Sequence, residues 1–234
     1  MPDPDCILKL EPEEIAGYLI EYLHSIDGTL NIHNLIRPGA LREYSQELRD
    51  KISEALTEAW MWLEREGLLA PKLGSGDSNW YFITRRGSKV RKPEQLVAFQ
   101  NSNKLPQKQL HPIIAEKVWA LFLRGEYETA VFQAFKEVEV LVRNACGYAP
   151  TDLGIDLMRK AFNKDTGQLT DMTAPVPERE ALSHLFAGAI GSYKNPSSHR
   201  HVQIDAEEAV EMIVLASHLL RIVENRMTAG NKLG

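Results

Sequence analysis

The stretch Ser192-Tyr-Lys-Asn-Pro-Ser-Ser-His-Arg-His201 brings fixed charge and proton-transfer groups closer together than any other part of the chain. Lys194 supplies a permanent positive charge, and His199 exchanges protons near neutrality. Asn195-Pro196 reads as an N-cap followed by proline at the first helical position, which aims the free amides of a new turn outward, where they attract anions. Cation, outward amides, carboxamide and imidazole, all between Lys194 and His199, suit a phosphodiester. Asn195 reads first as that cap and second as a positioning group. His199 and His201 also flank Arg200 as a candidate metal pair. Only Asp205 follows at ligand spacing, so no metal site is expected. The chain has no GxxxxGK[ST], HExxH or GxSxG pattern, and no cofactor is expected.

The elements around this stretch are helical by their apolar spacing. Ile113, Ile114, Val118, Leu121 and Phe122 form one stripe. Ala130, Val131, Ala134, Phe135, Val138, Leu141, Val142 and Ala145 form a broader one. Two further helices, over 178–193 and 205–226, bracket the motif and complete a small bundle. Glu139, within AFKEVEVLVR, has two readings. It orients Lys194 or His199 if it faces the cleft, or it pairs in solvent with Arg143 four residues on. His184 and His218 fall within apolar runs and read as hydrogen-bonded core or boundary residues.

The first ninety residues have a different order. Ile15, Leu19, Tyr22, Leu23 and Ile26 mark a helix over 13–26, ended by Asp27-Gly28. A short helix over 31–36 follows. A longer one over 50–66 is marked by Ile52, Ala55, Leu56, Ala59 and Leu63, with Gly67 as its C-cap. Residues 68–73 and 80–84 alternate like a hairpin closed by a Gly74–Ser78 turn. Three helices and a hairpin resemble a winged helix-turn-helix domain, a resemblance carried by WLEREGLLAP and WYFITRRGSKV. Such a domain implies DNA or a protein as partner. The third helix turns Glu54, Thr57, Glu58 and Met61 outward, and two carboxylates repel phosphate. The favourable charge is Arg85, Arg86, Lys89, Arg91 and Lys92, which read either as a phosphate-contacting patch or as a solvated helix start. Trp60, Trp62, Trp80 and Trp119 occupy core-like positions rather than forming a base-stacking platform.

Composition bounds these readings. The chain has 234 residues, 44% hydrophobic and 25% charged, with 27 basic and 32 acidic side chains for a net charge of −5. That is ordinary globular composition with no overall basic field, so nucleic-acid contact needs a local patch. Cys6 and Cys146 form no framework, as in a reduced cytoplasmic protein. The stretch MPDPDCILKL lacks a basic n-region and a long apolar run, so neither secretion nor membrane contact is expected. The proline-, glutamine- and asparagine-rich 94–110 reads as a linker between a 1–93 domain and a 111–234 domain.

The helix order, AFKEVEVLVR, GAIGSYKNPSSHRH and the final apolar helix together resemble the HEPN superfamily, in particular its bacterial Ymh-type branch linked to abortive infection. The resemblance covers about the last 120 residues. The superfamily's motif is arginine, a polar residue, then histidine after four to six intervening residues. Lys194, Asn195 and His199 match it, with lysine at the arginine position. Lysine keeps the charge and lacks the bidentate fork.

The resemblance implies a HEPN-like helical bundle and metal-independent RNA cleavage between two protomers. The roles it implies are His199 as general acid and base, Lys194 as charge stabiliser, Asn195 and Glu139 as positioning groups, and Arg200 as a further nucleic-acid contact. It further implies a homodimer, a toxin-like or anti-phage setting and room for an antitoxin partner. The alternative is a non-catalytic dimeric regulator that binds DNA or protein through the winged helix.

Overall fold

A computed structural model describes residues 3–35, 45–73, 80–195 and 202–230. The chain is mainly helical and separates into two compact units, Met1–Phe99 and Gln100–Gly234, each with its own apolar core.

The first unit contains α1 (Pro4–Ile7), α2 (Pro12–His24), α3 (Ile32–Leu35), α4 (Gln46–Arg65), β1 (Leu69–Pro71) and β2 (Tyr81–Ile83). The N-terminus of α2 is closed by Glu14, whose carboxylate accepts from the Glu11 N–H at 2.9 Å. Ser45 caps α4 by accepting from the Leu48 N–H at 3.3 Å, so that helix starts a turn earlier than its apolar stripe does. Gly67 follows α4 at φ +68°, the left-handed backbone that ends helices and suits glycine.

The two long helices pack against one another over Ile15, Leu19, Ile20, Leu23, Ile52, Leu56, Trp60 and Leu63. Each fully buried aliphatic side chain contributes about 1.5–3 kcal/mol. Tyr22 and Ile26, expected on the buried face, are exposed, and Ala16 and Ile20 are buried instead. The packed stripe is a residue narrower on that side, and Ile26 lies beyond the last turn of α2. The strands pair antiparallel in the register Leu69↔Ile83, Ala70↔Phe82, Pro71↔Tyr81. Leu30 adds a bridge through two bonds to Tyr81, and the Tyr81 ring meets Trp60 edge-on at 5.2 Å. The expected 74–78 turn lies outside the described residues.

The 94–110 stretch expected as a linker carries α5 (Pro93–Lys104) and a 3-10 turn over Gln107–Gln109. Leu96 is buried in the first core, and Leu105 and Leu110 in the second.

The second unit contains α6 (Pro112–Lys117), α7 (Trp119–Leu123), α8 (Tyr127–Ala145), α9 (Gly154–Ala161), α10 (Val176–Ala189) and α11 (Ala206–Gly230). The helix expected through Ile113–Phe122 is broken at Val118 into α6 and α7. The central helix α8 packs along α11 and also against α9. Ala130, Ala134, Val138, Ile213, Leu220 and Val223 are fully buried in this core, and Phe162 stacks on Phe186 at 4.0 Å. His111 ties the entry of this unit to α11. Its N–H donates to Ser217 Oγ at 2.7 Å, its Nδ1 accepts from the Ile113 N–H, and its Nε2 lies 2.9 Å from Glu224.

His184 and His218, expected at core or boundary positions, are exposed. The helical phase buries their neighbours Ser183 and Ser217 instead. Trp60 and Trp62 are buried, whereas Trp80 and Trp119 are partly so. Among the described residues no helix is long and apolar enough to cross a membrane.

Candidate functional site

Glu139 sits on a face of α8 that packing buries, leaving its side chain 5% exposed. A carboxylate taken out of water must be matched by donors and opposite charge. Three groups supply them. The Gly154 N–H at the start of α9 donates to Oε2 at 2.8 Å, Lys194 Nζ donates to the same oxygen at 3.3 Å, and Arg143 Nη1 lies 3.5 Å from Oε1. Both cations are 17% exposed, so one buried negative charge faces two sheltered positive ones. The sequence allowed Glu139 either to orient Lys194 or His199 or to pair with Arg143 in solvent. It contacts both Lys194 and Arg143, out of solvent.

Lys194 reaches this position through a local irregularity. After Ala189 the α10 backbone widens into a π-helical turn over Ile190–Lys194, closed by the Asn195 N–H donating to the Ile190 carbonyl at 3.1 Å. A π turn holds one more residue than an α turn, so it shifts all later side chains by one position and is often found at functional sites. The turn packs on α8 and α9: Tyr193 meets the Phe135 ring at 5.2 Å, and a Cβ on Gly191 would come within 3.0 Å of Ile155.

Asn195 departs from expectation. It has φ −63° and ψ −42°, the backbone of a residue that ends a helical turn, where an N-cap takes an extended one. The π turn has carried the helix one residue further than the Asn-Pro signal marks. His199, Arg200 and His201 lie outside the described residues. The chain resumes at Val202, whose N–H donates to Glu128 Oε1 at 3.0 Å in the first turn of α8.

Close to Glu139, the loop before α9 is also polar and ordered by its own bonds. Asp152 accepts from the Ala149 N–H and from Lys160 Nζ, each at 3.2 Å, and its carbonyl accepts from Arg143 Nη1 at 3.4 Å. Lys160 also stands 4.0 Å from the Tyr148 ring centroid, a cation–π contact. Asp205, the one possible partner for a histidine metal pair, caps α11 by accepting from the Glu207 and Glu208 N–H groups. Among the described residues no group of three metal-ligating side chains comes together.

In the first unit, Arg85, Arg86, Lys89, Arg91 and Lys92 are all exposed around a 3-10 turn at Gly87–Lys89. Arg86 donates to the Glu66 carbonyl at the end of α4, and Arg91 Nε donates to the Ser88 carbonyl. These are bonds to backbone oxygens, and among the described residues no carboxylate pairs with the five cations. The outward face of α4 carries Glu54, Glu58 and Met61, the last 62% exposed, with Thr57 half-buried and bonded to the Ser53 carbonyl.

Residues 108–223 match the model of a family described as "Protein of unknown function (Hypoth_ymh)". No curated protein and no solved structure matches the chain.

Proposed function

We propose, taking the C-terminal half as a member of the Ymh family, that this half is a HEPN-like domain acting as a metal-independent endoribonuclease. The observation that carries the reading is the Lys194 ammonium seated on buried Glu139 at the end of a π turn, directly before the segment that contains His199. A ribose 2′-OH attacks its own phosphorus while the P–O bond to the 5′ oxygen of the next nucleotide breaks. The products are a 2′,3′-cyclic phosphate and a 5′-hydroxyl. The step needs a base at the 2′-OH, an acid at the leaving oxygen and positive charge beside the phosphorane. One imidazole does not stand on both sides of the phosphorus, whereas two copies of His199 across a dimer axis do. Lys194 supplies the charge, Glu139 holds it in place and Asn195 orients the turn. The setting that fits a sheltered RNA-cleaving dimer is a bacterial defence or toxin-like system.

The test is incubation of the purified protein in EDTA with labelled structured RNA, alongside His199→Ala and Lys194→Arg variants, with the product ends identified. Cyclic-phosphate ends, lost in His199→Ala and kept or raised in Lys194→Arg, are expected. Retained cleavage in His199→Ala sinks the assignment.

The exposed cations of the first unit favour a second reading, a winged helix that contacts DNA phosphates through its wing side while acidic α4 stays off the duplex. A salt-dependent DNA shift should be lost when Arg85, Arg86 and Lys89 are changed to alanine. Unchanged binding by that triple variant removes the patch from consideration.

A further inference from the structure

We propose that Arg143 is a phosphate-binding residue of this site, gripping the scissile phosphodiester with its guanidinium while Glu139 positions it. The inference rests on the ribonuclease reading and assigns a residue which that reading leaves unused. Arg143 stands one helical turn after Glu139 on α8, at a side-chain exposure of 17%. Both of its contacts run through Nη1 and both are long, 3.4 Å to the Asp152 carbonyl and 3.5 Å to Glu139 Oε1. Among the described residues its Nε and Nη2 make no hydrogen bond. The one short bond to Glu139 comes from the Gly154 N–H at 2.8 Å, with Lys194 Nζ at 3.3 Å on the same oxygen, and the Asp152 carboxylate is occupied by Lys160 and Ala149.

Arg143 helps to balance Glu139, but through one nitrogen only. A guanidinium present to neutralise a buried carboxylate makes short, paired bonds to it. Here the Nη1 corner is tethered from two sides, which sets the plane of the group, and the Nε–Nη2 edge is left as a two-pronged donor. A phosphorane gathers negative charge on its equatorial oxygens and is the complement of such an edge. Lys194 supplies a compact point charge on a single nitrogen, and Arg143 supplies the planar fork that lysine lacks.

The experiment uses the whole chain with Arg143→Gln and Arg143→Lys variants. Cleavage of labelled RNA is measured in EDTA, and binding is measured on the same RNA carrying 2′-O-methyl groups, which block the attack. In Arg143→Gln, kcat falls roughly 10²-fold, as on removal of one transition-state donor. Its log–log salt slope for the methylated RNA becomes shallower by about one. Arg143→Lys restores the salt slope but only part of kcat, at an unchanged thermal midpoint. If Arg143→Gln does not fold, a lowered kcat in folded Arg143→Lys supports the assignment and parental kcat there overturns it. Cleavage and binding by Arg143→Gln within about threefold of the parent overturn it and leave the ribonuclease reading standing. A parent that yields no cyclic-phosphate ends overturns both.

Discussion

Single side chains in the second unit show how far charge can be inferred from spacing. The Glu139–Arg143 separation of four residues is visible along the helix, but Lys194 is 55 positions away and its bond to Glu139 is not. Asp171 is a second such case. Its carboxylate accepts from the Thr173 hydroxyl at 2.6 Å and the Thr173 N–H at 3.0 Å and pairs with Arg226, which together hold it at about 2 against an ordinary 3.8. A carboxyl whose value is lower when folded stabilises the fold fully above its ordinary value, and that contribution disappears as pH falls toward 2. Asp171→Asn should therefore flatten the part of the acid-unfolding curve between pH 3.8 and 2, read as urea midpoint against pH. Because the group is about a third exposed, added salt should shrink the difference. A variant curve that parallels the parent's over that interval excludes the linkage.

Elements were legible where periodicity is long and sharply ended. α4 and α8 follow from their apolar stripes, and Gly67 ends α4 as its position implies. α5 and α9 did not announce themselves. The first is rich in glutamine and asparagine, and the second has only eight residues. The π turn has no mark in the sequence, because a widened turn changes which carbonyl an amide reaches without needing a special residue. It nevertheless decides where Lys194 points. The turn after β2 is similar: Gly87 is buried, and a Cβ there would lie 2.2 Å from the Leu68 carbonyl oxygen. The basic run is thus held on a tight backbone contact that its charges do not reveal.

For the chain as a unit, the proposed chemistry has a consequence in solution. If two copies of His199 flank one phosphate, the active species is a dimer of 26.4 kDa chains, and RNA cleavage per chain falls on dilution below the dissociation constant. Light scattering and specific activity over the same dilution series check this. Full activity in a monomeric sample contradicts the shared cleft. The two units have separate apolar cores and carry different chemistry: a run of exposed cations in the first and a sheltered carboxylate with two cations in the second.

Apolar period was enough to mark a mainly helical chain and the antiparallel strand pair at 69–83, because these are local or strongly repeated signals, and the C-terminal motif resemblance agrees with the family model matched over residues 108–223. Glu139, Lys194 and Asn195 were also picked out from the sequence, since residue type announces chemistry. Folding alone assigned their relations. The buried state of Glu139 needs α8 sandwiched in the core, its third donor comes from the start of α9, and Arg143 meets it beside a loop carbonyl. Asn195 ends a turn where its Asn-Pro context implied the start of one. Those facts depend on contacts between segments distant in the chain, and an amino-acid order read along one dimension carries no term for such contacts.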